Sequence, residues 1–357
     1  MEQGILRWVG DETLTQELLA TFPTILLLLV IAVCVALLSK GADWMIDGVV
    51  QLARRTRLPR IVIAATIISL GTTTPEAFVS VMAAWMGNPG LALGNGVGSI
   101  IADTGLIFGL TCVLTAVPAN RLILNRTGWV QVGSATLLVF ISVGALFTAN
   151  GEPTLQRWVG ALLLVLLAGY LYTAYIWARQ GGSRSAEAED EDDSEPAALL
   201  KSGTLLLGGL FLVLLGARIL VPSASEIAHR IGVPDDIIAC TLVALGTSLP
   251  ELMTAIAAVR KGHPEIMVGN VVGADVLNCL FVIGAAAAAS PLAIPSNFYT
   301  FHFPTMLIIL YSFRIFISTT RDGESFKRWH GAWLLGIYVI YIVLQYSLNV
   351  GTAAHGL

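Results

Sequence analysis

Two glutamates stand inside long apolar stretches of this sequence, and each closes a copy of the same short motif. G-T-T-T-P-E ends at Glu76, and G-T-S-L-P-E ends at Glu251. A carboxylate in the middle of a membrane-crossing helix costs at least about 3 kcal/mol to insert, so such a residue is by default a functional candidate. Two of them in one repeated motif predict a cation-binding role.

Each glutamate has oxygen-bearing neighbours. Hydroxyl residues precede it by three and four positions, which places them on its face of a helix. These candidate hydroxyl ligands are Thr72, Thr73, Thr247 and Ser248, and Ser69, seven residues before Glu76, adds a further hydroxyl to the first copy. Pro75 and Pro250 each remove a backbone donor and clash with the preceding turn, so both helices are expected to be broken there. Broken helices at membrane depth line cavities, and their free carbonyls suit ion binding.

A second motif, G-N-x-x-G, follows in each copy and leads to a further polar pair. Asp103 and Asn278 occupy equivalent positions, and Ser99 lies four residues before Asp103 on the same helical face. Ala274 replaces the serine in the second copy. Asp275 follows Ala274 directly, and successive residues of a helix point in different directions. We therefore expect Asp275 to point away from the site.

These candidates offer three carboxylates, one amide and several hydroxyls, without His or Cys. An all-oxygen set suits hard cations, and Ca²⁺ takes six to eight oxygens in flexible geometry. Three negative charges can be balanced by three Na⁺, or by one Ca²⁺ and one proton. Mutually exclusive occupancy of such a site would make an antiporter without further machinery, and no cofactor is expected beyond the transported ions.

The elements that position these residues are predicted to be membrane-spanning helices. Of the 357 residues, 55% are hydrophobic and only 12% are charged, about half the charged fraction of a soluble domain. Apolar runs of about 20 residues recur, long enough to cross a bilayer. The predicted spans are roughly 24–50, 59–86, 91–118, 127–149, 156–178, 200–229, 235–259, 266–290, 301–319 and 329–348.

The chain repeats itself after 175 residues. Residues 62–109 and 237–284 align without a gap and match at sixteen positions. Five spans per copy is an odd number, so the two copies are expected to be inverted in the membrane, with the site at their interface. We therefore predict an all-α integral membrane protein of ten transmembrane helices in two inverted five-helix repeats, with helices 2 and 7 broken. The divisions are an extramembrane head at 1–22, a first repeat at 23–180, an acidic cytoplasmic loop at 181–199 and a second repeat at 200–357.

Basic residues predict the orientation. Fifteen Lys and Arg residues fall in the connections on one side and three on the other, which under the positive-inside rule places both termini outside. We expect a prokaryotic cytoplasmic membrane, with the acidic run 187–195 in a solvated loop and the chain working as a monomer. No nucleic-acid partner is indicated.

At these motifs the sequence resembles the sodium/calcium exchanger family of the cation/calcium exchanger superfamily, particularly its compact prokaryotic members. The resemblance implies that Glu76 and Glu251, helped by Thr72 and Thr247, bind Ca²⁺ and Na⁺. It further implies a gating role for the first and sixth spans, which slide as a pair. The residues that would complete the sodium sites are Thr73, Ser248, Ser99, Asp103 and Asn278. The chain departs from the family where Asp103 and Asn278 exchange the usual Asn and Asp, and where Ala274 replaces Ser.

Other functions remain open at this point. A Ca²⁺/H⁺ antiporter on the same scaffold, or an exchanger of another divalent ion, would use the same site. A passive cation channel would need no counter-ion. An enzyme is not expected, because the sequence has no H-E-x-x-H, G-x-S-x-G or G-x-G-D motif.

Overall fold

The computed structural model describes residues 18–56, 59–119, 121–148, 152–185, 196–231, 246, 248–321 and 323–353. Predictions about the first 17 residues, the acidic run 187–195, Thr247 and most of the seventh span lie outside this part of the chain. Eight helices in the described part are long and apolar enough to cross a membrane. They correspond to the first six, the eighth and the ninth predicted spans.

Among its described residues, the first half has seven α-helices separated by short distortions. Its helices are α1 (Thr24–Thr56), α2 (Arg60–Ile63), α3 (Ser69–Trp85), α4 (Pro89–Ala102), α5 (Gly109–Leu114), α6 (Arg121–Thr148) and α7 (Arg157–Ser185). Two π-helical turns, π1 (Ala64–Ile68) and π2 (Asp103–Phe108), join α2 to α3 and α4 to α5. A short strand, β1 (Thr154–Leu155), precedes α7.

The second half follows the same order in the residues described. Its helices are α8 (Pro196–Arg230), α9 (Leu249–Arg260), α10 (Pro264–Leu277), α11 (Ile283–Ala289), α12 (Phe303–Thr319) and α13 (Arg328–Ala353). The π-helical turns are π3 (Asn278–Val282) and π4 (Phe298–His302). Strand β2 (Leu292–Ala293) pairs antiparallel with β1, Thr154 opposite Ala293 and Leu155 opposite Leu292, and so ties the two halves together.

Helix and turn boundaries recur at the spacing of the sequence repeat. Helix α4 spans Pro89–Ala102 and α10 spans Pro264–Leu277, so both ends are displaced by 175 residues. Gly87 and Gly262, also 175 apart, both adopt a φ of 76° in the turns before these helices. A positive φ suits glycine because it has no Cβ. The repeated sequence therefore produces repeated local structure.

Helix α3 corrects the prediction of a broken second helix. It runs without interruption from Ser69 to Trp85 with Pro75 inside it, and the departure from α geometry is the π turn just before it. A π turn absorbs an extra residue while the helix continues, and such turns often occur at functional sites. In the second half, Ser248 lies in a turn with φ −90° and ψ 8°, and α9 begins at Leu249.

The segment predicted as the loop 181–199 is described only at its two ends. Helix α7 continues to Ser185, and α8 begins at Pro196, so both ends of the segment are helical. Proline is favoured in the first turn of a helix because the N–H it lacks would have no partner there.

The Glu-bearing helices lie at the centre of the packing. Helix α3 contacts α4 in its own half and α10, π3 and α11 in the other half, while α9 contacts α10 and also π2 and α5. Helices α1 and α8 pack against each other along their lengths. Each glutamate motif is thus built into contacts between the two halves.

Candidate cation-binding site

Glu76 and Glu251 are both buried in the protein interior. Their exposed fractions are 1% and 2%, and in the described part of the chain the Oε2 atom of each has no hydrogen-bond partner. The two carboxylates are near enough to repel each other electrostatically. Like charges at close range inside a protein need a compensating positive charge, so the pair is suited to cations that enter and leave.

Hydroxyl groups accompany both carboxylates, as the motif spacing predicts. Thr72 and Thr73 are fully buried on α3 one turn before Glu76. The Thr72 hydroxyl donates to the Ser69 carbonyl at 3.4 Å and also lies near enough to Glu251 to act on its carboxylate. The hydroxyl oxygens of Thr73 and Ser248 are buried without a partner. Unpaired buried oxygens are costly, which fits atoms reserved for an ion.

The proline of the first motif contributes an acceptor even though the helix is unbroken. Pro75 has no N–H, so it cannot pair with the carbonyl of Gly71 four residues earlier. Asn95 of α4 holds the same region by donating from Nδ2 to the carbonyl of Glu76 at 3.1 Å and to the hydroxyl of Ser80 at 3.0 Å. The motif's asparagine thus fixes the backbone that carries Glu76.

Asp103 and Asn278 each begin a π-helical turn, π2 and π3 respectively. Both are 1% exposed, and both carboxylate oxygens of Asp103 and Oδ1 of Asn278 lack a partner among the described residues. Asp103 is repelled by Glu251 and by Glu76, which places it beside the glutamate pair. Ser99 is 4% exposed one turn earlier on α4.

Ser69 is brought to the contact between the two halves. Its hydroxyl lies 2.8 Å from the carbonyl oxygen of Ala64, 3.0 Å from that of Asn270 and 3.2 Å from Asn270 Oδ1. Its proton is therefore directed at protein acceptors, and only its lone pairs remain for an ion. Nearby Gly273 permits this contact, because a Cβ there would collide with Ser69 Oγ and the Ala65 carbonyl.

Asp275, which we expect to point away from the site, directs its carboxylate at two residues outside the predicted ligand set. Its Oδ2 accepts hydrogen bonds of 2.5 Å from Thr104 of π2 and from Gln131 of α6, and its charge acts on Asp103. Gln131 is a polar residue that the sequence interpretation missed, since one glutamine in a long apolar helix gives little signal. Only the packing of α6 against α10 brings it to Asp275.

The ligand atoms are of mixed type. Within the described ranges, no group of three or more Asp, Glu, His and Cys side chains is arranged to hold a metal ion by itself. A cation at the glutamate pair would therefore draw on hydroxyl, amide and carbonyl oxygens as well. Such a set can coordinate hard cations of modest charge, for which Ca²⁺ and Na⁺ are candidates.

Comparison with known proteins adds an independent line of evidence. The family model described as "Sodium/calcium exchanger protein" matches residues 26–176 and 201–347. An uncharacterized membrane protein of Methanocaldococcus jannaschii is 32% identical over 88% of this chain and 95% of its own length. The sodium/calcium exchanger MaX1 of Methanosarcina acetivorans is 28% identical over 90% of this chain and 98% of its own.

A solved structure supports the same relationship. The sodium-calcium exchanger NCX_Mj, soaked with Na⁺ and Sr²⁺, superimposes with a TM-score of 0.75 at 28% sequence identity. The match covers 90% of this chain and 99% of that protein. The fold and the sequence motifs thus point to the same group of proteins.

Proposed function

Because this chain belongs to the sodium/calcium exchanger protein family, we propose that it is a secondary antiporter that exchanges Ca²⁺ for Na⁺ at the buried glutamate site. The observation that carries the proposal is the pair Glu76 and Glu251, each buried in an equivalent motif with an unpartnered carboxylate oxygen. Membrane-embedded carboxylates of this kind mark ion pathways.

The residues divide into two functional groups. Glu76 and Glu251, with Thr72 and Thr247, would bind both Ca²⁺ and Na⁺. The residues that would complete the sodium sites are Thr73, Ser248, Ser99, Asp103, Asn278 and Ser69. Three carboxylates balance three Na⁺ or one Ca²⁺ with one proton, so the two ion loads exclude each other and exchange follows.

Two inverted five-helix repeats provide the framework for this exchange. The recurrence of α4 as α10 and of the Gly87 turn as the Gly262 turn supports the repeat. The 26-residue helix α13 lies at the tenth predicted span. Residues 23–180 and 200–357 would form the two repeats, with the site at their interface and helices α1 and α8 sliding together to expose it to either side.

We place both termini outside the cell and the segment 181–199 in the cytoplasm, on the distribution of Lys and Arg. This orientation corresponds to a prokaryotic cytoplasmic membrane. The site is assembled from helices of one chain, so the protein would act as a monomer.

Ion flux in a reconstituted system tests the function. The purified protein in liposomes is expected to take up radiolabelled Ca²⁺ when the vesicles are preloaded with Na⁺, and not when they are preloaded with choline at equal pH. Uptake that instead follows an outward proton gradient would make the protein a Ca²⁺/H⁺ antiporter. Uptake without any counter-ion would indicate a passive channel.

A further inference from the structure

A second cluster of buried oxygen atoms lies beside the glutamate pair, where α10, π2 and α6 meet. It contains Asp275, Thr104 and Gln131, which are 1%, 0% and 1% exposed. The Thr104 hydroxyl and the Gln131 amide both donate to Asp275 Oδ2 at 2.5 Å, and the same Gln131 amide lies 3.3 Å from the Thr104 hydroxyl oxygen.

Several oxygens of this cluster have no partner. In the described part of the chain, Asp275 Oδ1 and Gln131 Oε1 accept no hydrogen bond, and neither do the two carboxylate oxygens of Asp103. The Gln131 amide is held at Asp275 through its nitrogen, so its unpaired oxygen is anchored at the same place. Buried polar atoms are seldom left unpaired in proteins, and a group of four acceptors without a donor is suited to a cation.

The electrostatics favour the same interpretation. Asp103 interacts with the charges of Glu251, Asp275 and Glu76, all of the same sign. A fourth carboxylate therefore joins the three of the exchange site. An uncompensated buried charge is costly. The carboxylate of Asp275 therefore requires a further positive charge nearby.

The sequence repeat does not duplicate this cluster. The residues 175 positions from Asp275, Thr104 and Gln131 are Ile100, Cys279 and Met306, none of which offers an oxygen side-chain ligand. The cluster is therefore an addition to the repeated site and not a second copy of it.

We propose that Asp275, Gln131 and Thr104, together with Asp103, form a site for one monovalent cation beside the exchange site. Asp275 supplies the charge, and Gln131 and Thr104 supply neutral oxygens. A divalent ion with six to eight oxygen ligands is disfavoured, because Asp275 is the only carboxylate that the cluster does not share with the exchange site. The proposal rests on the proposed exchange function. It places one further monovalent cation beside the ions that are exchanged.

Thermal unfolding of the purified full-length protein in detergent, without Ca²⁺, tests this site separately from transport. NaCl, KCl and choline chloride are compared at equal ionic strength, since a cation that binds only the folded state raises the Tm. Asp275→Asn keeps the side-chain shape, and Gln131→Met copies the residue of the other repeat. Both are expected to raise the half-saturating concentration of Na⁺ or K⁺ by about tenfold, as expected for loss of a charged or direct ligand. A Na⁺ response shared by all variants belongs to the exchange site, so the cation of this cluster is the one whose half-saturating concentration the two substitutions raise.

The matched control is Glu265→Gln, which is also an acid-to-amide change. Glu265 lies at the start of the same helix, outside the cluster, and pairs with Arg60. Its titration curves should coincide with those of the unaltered protein. Coincident Na⁺ and K⁺ curves for Asp275→Asn and Gln131→Met would overturn the proposal and leave Asp275 as a structural hydrogen-bonded acid. If the unaltered protein fails to exchange Ca²⁺ in liposomes, the proposed function fails while this titration still decides the cation site.

Discussion

Gly41 of α1 and Gly209 of α8 face each other so closely that a methyl group on Gly209 would lie 2.5 Å from the carbonyl oxygen of Gly41. The reverse substitution is equally crowded, since a methyl on Gly41 would lie 2.7 Å from the Gly209 carbonyl oxygen. Small residues allow helices to approach closely in a membrane. The contact lies between the two helices proposed to slide together.

Gly209→Ala is expected to separate α1 from α8, at a cost of about 1–3 kcal/mol from overpacking. Its neighbour provides the control, because a methyl on Gly208 meets no atom of the described residues within 4 Å. Gly208→Ala should therefore be neutral or slightly stabilising through helix propensity. Thermal unfolding and Ca²⁺ uptake of both variants check the prediction. Equal Tm and equal Ca²⁺ uptake in the two variants would show that the close contact does not constrain the packing of α1 against α8.

Glu76→Gln and Glu251→Gln are each expected to reduce Na⁺-driven Ca²⁺ uptake to the level of protein-free liposomes. The amide keeps the shape of the side chain but removes the charge that compensates the cation. The variants should remain folded, with an elution profile and Tm close to those of the unaltered protein in the absence of Ca²⁺.

Glu226→Gln is the control for that pair of substitutions. Glu226 carries a partly exposed ion pair with Arg230 at 2.8 Å, four residues along α8, and such pairs contribute only a few tenths of a kcal/mol. Its uptake should be unchanged. Substantial exchange in either glutamine variant of the site would remove the central claim.

Asp103→Asn is expected to alter the Na⁺ dependence of transport more than the Ca²⁺ dependence. It takes one negative charge from the Na⁺-loaded site, where three charges balance three ions. We expect the half-saturating Na⁺ concentration to rise by about tenfold, as for loss of a hydrogen-bonded charged ligand. Flux measured over a range of Na⁺ concentrations tests this, and an unaltered Na⁺ curve would contradict the assigned role.

The double variant Asp103→Asn with Asn278→Asp tests the equivalence of the two positions. Both residues begin a π-helical turn and both are buried. Moving the carboxylate to position 278 keeps the total charge, so Na⁺ dependence should return toward that of the unaltered protein. If the double variant shows the same Na⁺ dependence as Asp103→Asn, a carboxylate at position 278 cannot replace the one at position 103.

Acidification is expected to weaken the contact between Arg60, at the first residue of a span, and His263, which lies outside the spans. Arg60 Nη1 lies 3.0 Å from His263 Nδ1, and an arginine can only donate, so this nitrogen must be unprotonated. Burial and then the charge of Arg60 lower the pKa of His263 below its ordinary value, against an opposing effect of Glu265. The unfolded chain therefore takes up the proton first as the pH falls.

The sign of the effect follows from proton linkage. Below the ordinary histidine pKa of about 6.5 the unfolded state binds more protons, so stability declines as the pH is lowered toward the pKa of folded His263. The Tm difference between about pH 7.5 and about pH 5.5 should be smaller in His263→Gln than in the unaltered protein. An equal Tm difference in the two proteins would show that His263 does not contribute to the pH dependence of stability.

The sequence by itself determined the class of the fold and the identity of the central glutamates. Lipid excludes unpaired backbone, so membrane spans must be apolar helices of predictable length, and the apolar runs therefore located eight helices found in the described structure. The same exclusion makes buried acids conspicuous, which singled out Glu76 and Glu251.

Only the tertiary structure decided which groups meet across the two halves. Helix periodicity predicts neighbours within one helix, but Thr72 reaches Glu251 and Gln131 reaches Asp275 because separate helices pack together. The sequence rule that proline breaks a helix also failed at Pro75, where α3 continues. Loss of one backbone hydrogen bond was outweighed there by the surrounding contacts of α3 with both halves, and such non-local contacts are absent from any local pattern of residues.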